Sequence, residues 1–127
     1  MKNQVDSIAL SELLHCWLDP FDKNEIVVMI EAQSPMGGGQ HASMIFSLAF
    51  TAGIIEGVVA AQRYPHKLVA PGIWKKAMGL SAKTKDAKDM ARTMAQRMYP
   101  SADLHLKKHH NRAESILIAR YGQNEYH

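Results

Sequence analysis

Two carboxylates far apart in the chain are the residues best suited to do chemistry. Glu31 ends the run Glu25-Ile26-Val27-Val28-Met29-Ile30-Glu31, directly before a polar, glycine-rich stretch at 33–40. An apolar strand that leaves an acid at its carboxyl end places it at the open rim of an α/β sheet; the competing reading is a strand that simply ends in a solvated acid. Glu114 closes the segment Lys107-Lys108-His109-His110-Asn111-Arg112-Ala113-Glu114, ahead of an apolar helical pattern. His110 and Glu114 are four apart, and Asn111 and Glu114 three apart, so on a helix either pair shares one face within reach of a single ion. Imidazole plus carboxylate suits Mn²⁺ better than Mg²⁺, which prefers oxygen ligands. The same pattern also fits a surface helix capped by histidine.

The elements that must carry these residues follow from periodicity. Apolar positions Ile8, Leu10, Leu13, Leu14, Trp17 and Leu18 predict a first helix over 7–18, capped by Asp6 or Ser7 and stopped by Asp19-Pro20. A strand follows at 26–31. The Gly37-Gly38-Gly39 loop resembles a phosphate-binding loop only superficially, because no lysine followed by Ser or Thr comes after it. A long apolar helix is expected from His41 to Gln62, with Ala49, Gly53 and Gly57 forming a smooth ridge. Glycine costs about 1 kcal/mol in a helix interior, so such a ridge implies that another backbone, a sheet or a second subunit, packs close. Glu56 on this helix reads as a rim or interface acid.

After Tyr64-Pro65, residues 67–70 read as a second strand, completing a strand–helix–strand unit with parallel pairing. A short helix over 73–78 bears Trp74, Lys75 and Lys76. Ala87, Met90, Ala91, Met94, Ala95 and Met98 form the apolar stripe of an amphipathic helix, read as core, with Lys85, Lys88, Asp89, Arg92 and Gln96 on the other face. The last helix is expected from Asn111 to Tyr121, closed by Gly122, before a polar tail at 123–127.

Composition narrows the class. The 127 residues suit one domain with its own core. A single cysteine, Cys16, excludes an internal disulfide, and the lack of a leader-like start points to a reducing, intracellular setting. The apolar tract Met44–Ile55, followed by Glu56, reads as shorter than the about 20 residues that cross a bilayer, so no membrane partner is expected. The net charge of +3 conceals an asymmetry: residues 1–62 hold 2 basic and 7 acidic side chains, residues 63–127 hold 13 and 5. A basic half beside a carboxylate-bearing half fits a protein that holds a polyanion against a metal.

Taken in order, Glu31, the Gly-rich loop, the helix through Gly53-Ile54-Ile55-Glu56-Gly57-Val58, Leu68-Val69-Ala70-Pro71-Gly72-Ile73-Trp74-Lys75-Lys76, and Arg112-Ala113-Glu114-Ser115-Ile116-Leu117-Ile118-Ala119-Arg120-Tyr121-Gly122 resemble the RuvC-type Holliday junction resolvases, especially their phage-borne branch. The likeness spans roughly residues 26–122. It implies an α/β fold of the ribonuclease H-like type, a homodimer formed through the 41–62 helix, a cytoplasmic setting in a bacterial or phage-infected cell, and cleavage of four-way DNA junctions dependent on Mg²⁺ or Mn²⁺. It further implies that Glu31, His110 or Asn111, and Glu114 hold the ions, with Glu31, His110 and Glu114 as the catalytic set. Gln33, Lys75, Lys76, Lys83, Lys85, Lys108 and Arg112 would then contact DNA.

Two departures accompany the likeness. The family places a further Asp on a first strand, read as an apolar run followed by Asp-Pro-Gly, and this sequence opens instead at a later helix; neither Asp6 nor Asp19 matches, which implies a fold lacking its N-terminal strands and weak or absent cleavage. The phage-type aromatic or histidine after Glu31 is replaced by Ala32-Gln33-Ser34. A non-catalytic DNA-binding or dimerisation module is the alternative.

Overall fold

In a computed structural model, which describes residues 4–33, 41–80 and 86–126, the chain is mixed α/β and mostly helical. It divides into two compact units, Met1–Leu68 and Val69–His127.

In the first unit, α1 (Ser7–Leu18) begins where expected: the Asp6 carboxylate accepts hydrogen bonds from the amides of Ile8 and Ala9, both at 3.0 Å. Its apolar residues are less buried than the pattern implies. Only Leu14 and Leu18 reach the core of Ile26, Ile30, Val59 and Tyr64, while Ile8 and Trp17 are exposed. Strand β1 (Val28–Glu31) pairs in parallel with β2 (His66–Val69), as the strand–helix–strand reading expects. Helix α2 (Ala42–Ala61) connects them.

The exit from α2 is a Schellman turn. The amide of Tyr64 donates to the carbonyl of Val59 (3.2 Å) and that of Arg63 to Ala60 (2.9 Å). The pairing of Tyr64 with Val59, both buried in the same cluster, supplies the apolar contact that usually accompanies this turn. Arg63 takes the left-handed position, φ 60°, which favours glycine. Lys23 steadies the same turn, donating to the Gln62 carbonyl at 2.6 Å and lying 5.0 Å from the Tyr64 ring centroid.

Helix α2 overturns one expectation and narrows another. Among the described residues no atom outside the helix's own backbone lies within 4 Å of a Cβ built on Gly53 or Gly57, so no sheet of the described chain packs on the small-residue ridge. Glu56 does not shorten the helix: its 20 residues are long and apolar enough to cross a membrane by length and composition, with 6% of that span buried.

In the second unit, α3 (Pro71–Ala77), α4 (Ala87–Met98) and α5 (His110–Tyr126) enclose Trp74, Leu104, Ala113 and Leu117, each 1% exposed or less. Helix α4 packs against α5, and Ala91 and Ala95 are its buried residues. The methionine stripe therefore flanks the contact instead of filling it. Met90 and Met98 are exposed and line a groove of about 510 Å³ with Met94 and Leu80. Arg92, expected on the solvent face, turns inward and donates to the Leu104 carbonyl at 2.9 Å. Helix α5 continues through Gly122 to Tyr126 instead of ending there, since Ile118, Tyr121 and Gly122 itself are buried. That burial outweighs the about 1 kcal/mol a helical glycine costs.

Candidate functional site

Helix α3 presents the first basic residues of the site. Its end is a second Schellman turn, with Leu80 N–H donating to the Lys75 carbonyl (2.7 Å) and Gly79 N–H to Lys76 (3.1 Å), Gly79 taking φ 74°. Leu80 is buried, so the turn anchors α3 and fixes the pitch at which Lys75 and Lys76 leave it. Trp74 is fully buried beside them. Lys75 is thereby directed at α5, where its Nζ lies 3.4 Å from the Glu114 Oε1, both side chains half-buried. Two of the sequence blocks singled out above, 71–76 and 107–114, thus meet.

A 3-10 turn at Lys107–His109 leads into α5. His110 opens the helix, with Nδ1 3.3 Å from the Lys107 carbonyl. A carbonyl only accepts, so Nδ1 carries a proton, and in the neutral tautomer this contact selects, Nε2 is the nitrogen with a lone pair for a ligand. Glu114 lies one turn on, on the same face. Asn111, Lys76 and Lys108 are exposed in this unit. Arg112 is exposed as well, but its guanidinium is engaged with Asp103, 3.1 Å from the backbone carbonyl and 3.4 Å from Oδ2. Lys83 and Lys85, together with the 37–39 glycines, lie outside the described residues.

Glu31 belongs to the other unit. It ends β1 as expected, half-buried at the wall of a cleft of about 330 Å³. Gln33, Ser47 and Thr51 add polar atoms to this cleft; Ile30, Leu48 and Ile55 make it apolar on one side. An acid in such a cleft can ligate a cation or accept a proton. Glu56 Oε1 lies 3.7 Å from His66 Nε2, and both side chains are partly exposed.

One cluster escaped the sequence reading. Asp103, His105 and His109 bring one ligand atom each to within 4.8 Å of one another. Asp103 Oδ1 is 2.6 Å from His105 Nδ1 and 4.0 Å from His109 Nδ1, and the two imidazoles stand edge-to-face at 5.5 Å. Hydrogen bonding from His105 lowers the Asp103 pKa from its ordinary value, with the charges of His105, His109 and Arg112 adding to it against desolvation. Burial lowers that of His109, and the nearby Arg112 charge reinforces the shift. The signal was present as Asp-x-His-x-x-x-His, but it falls in the loop before the helix, where no periodicity marks it.

No protein-family model matches the chain, and no curated protein matches it significantly in sequence.

Proposed function

We propose that this chain is a RuvC-like, divalent-metal-dependent endonuclease of ribonuclease H-like type that engages four-way DNA junctions. The observation that carries this reading is the Lys75–Glu114 pair: a lysine from one block and an acid from another adjoin, with His110 one turn away and Lys76 and Lys108 exposed on the same unit. A cation beside a carboxylate is what a site for a phosphate and a metal ion requires, since each group neutralises one part of the ligand.

The donor set fits such an ion. Glu114 offers a carboxylate and His110 an unprotonated Nε2, a mixture that accepts Mn²⁺ more readily than Mg²⁺. By the resemblance Glu31 contributes a further carboxylate. Divalent metal in such sites activates water and stabilises the leaving oxygen of a phosphodiester. The chain's own residues bind and orient: Lys75 exchanges Glu114 for a phosphate oxygen when DNA arrives, and Lys76 and Lys108 hold flanking phosphates. Arg112 joins them only on releasing Asp103.

The same pair favours a second reading. With Lys75 bound to it, Glu114 is already neutralised, as suits a non-catalytic DNA-binding module. A homodimer through α2 belongs to both readings, because Met44, Phe46 and the Gly53–Gly57 ridge are open to a partner.

Incubation of the chain with a synthetic four-way junction in Mn²⁺ tests the proposal. Slow cleavage abolished by Glu31→Gln and by Glu114→Gln supports the nuclease. Junction binding without any cleavage leaves the non-catalytic module, and failure to bind the junction removes both.

A further inference from the structure

We propose that Asp103, His105 and His109 form a site for one zinc-class divalent cation, at the turn that leads into α5 and independent of the nuclease reading. Two imidazoles and one carboxylate are the donor set of open, three-ligand zinc sites, and imidazole selects Zn²⁺, Co²⁺ and Ni²⁺ over Mg²⁺ and Ca²⁺. The three ligand atoms already lie within 4.8 Å of one another.

The cluster needs little rearrangement. Around a tetrahedral zinc with bonds of 2.0–2.1 Å, ligand atoms stand about 3.3 Å apart. The Asp103–His105 contact of 2.6 Å has to open, with His105 Nδ1 releasing to solvent the proton it donates to the carboxylate, and the Asp103–His109 separation of 4.0 Å has to close. Asp103 and His105 are 62% and 69% exposed, so rotation of their side chains provides both movements. His109 is the fixed member, 7% exposed, and its Nδ1 accepts a long 3.3 Å hydrogen bond from the Leu106 amide. That contact occupies the Nδ1 lone pair in the metal-free chain, so zinc takes His109 Nδ1 by displacing the long Leu106 amide contact.

Arg112 is the obvious competitor, and its geometry leaves room. It approaches Oδ2 at 3.4 Å and the Asp103 carbonyl at 3.1 Å, while Oδ1 faces the histidines. An ion on Oδ1 therefore leaves the carbonyl contact in place and completes the second-sphere arrangement that steadies metal-bound carboxylates. With three protein ligands, a bound zinc would have its fourth position open to solvent on the exposed side.

The test is calorimetric titration of the untagged full chain with zinc chloride alone, followed by metal analysis after dialysis. One equivalent of zinc is expected, with magnesium chloride giving no comparable heat. His105→Ala and Asp103→Asn, both at exposed positions that leave the core intact, should each weaken zinc by about tenfold or more. Glu114→Gln should leave it unchanged. Cobalt substituted for zinc should give a visible absorption band that His105→Ala removes. Zinc lost in Glu114→Gln but retained in the His105 and Asp103 variants, or the absence of stoichiometric zinc, overturns the proposal.

Discussion

Helices α2 and α5 are both long, yet they make opposite use of apolar residues. Helix α5 confines them to one face, and Ala113, Leu117, Ile118 and Tyr121 are buried while Asn111, Ser115 and Arg120 face water. Helix α2 is apolar on all sides, and of its 20 residues only Val59 is buried. A one-sided stripe is satisfied inside the unit that contains it, whereas an apolar surface all round needs more cover than one small unit provides. Helix α5 serves the fold; α2 leaves most of its apolar surface exposed.

Single substitutions can break or sharpen that contrast. The largest effect is expected from Leu117→Ala, which empties a fully buried site and should lower unfolding free energy by about 3 kcal/mol in urea titration. Phe46→Ala on the exposed face of α2 should cost well under about 1 kcal/mol in the same experiment at a concentration where the chain is monomeric; equal losses there would mean that α2 is buried in the folded monomer. Next comes Gly53→Leu with Gly57→Leu. Neither Cβ meets an atom of another element among the described residues, so folding should persist while sedimentation shows self-association weakened. Unchanged association would move the interface elsewhere, and partition of the wild-type chain into lipid vesicles would replace the dimer by a membrane as the cover of α2.

A smaller effect separates the two Schellman turns. Gly79 occupies the left-handed position after α3, but Arg63 occupies it after α2. Arg63→Gly should therefore stabilise the first unit by up to about 1 kcal/mol, read from the urea midpoint. A loss instead would show that the Arg63 side chain contributes more than its backbone costs.

The smallest effect is on pH dependence, in metal-free protein with chelator present. Burial lowers the pKa of His109, so the unfolded chain takes up its proton first, below the ordinary value of 6.5. Stability is full above that value and declines as pH falls through the folded one. The lowered pKa of Asp103 adds a second decline beginning below its ordinary value of 3.8. A His109→Gln variant should lose the upper step while keeping the lower; a melting temperature flat between pH 7 and 5 in the wild type would refute the assignment.

The sequence disclosed what local chemistry controls. Asp6 announced the start of α1 through its capping oxygen, and the β-branched run before Glu31 announced β1. Elements decided by packing were less legible. The methionines of α4 have the right spacing for a core, but Ala91 and Ala95 are the buried residues of that helix, which packs against α5. Gly122 looks like a terminator until Tyr121 and Ile118 are seen buried beside it. Of the site, His110 and Glu114 were visible as a helical pair, whereas the meeting of Glu114 with Lys75 depends on tertiary packing of α3 against α5. Asp103, His105 and His109 were missed because a loop and a 3-10 turn bring them together without any repeat.

Equilibrium binding of a synthetic four-way junction and of a linear duplex of the same composition, across a salt series, bears most directly on the proposed function. Engagement of about five phosphates predicts tighter junction binding with a slope of log K against log salt of about −4 to −5, reduced by close to one when Lys76→Ala removes one contact. A salt-independent association, or equal affinity for junction and duplex with no effect of Lys76→Ala, would contradict it.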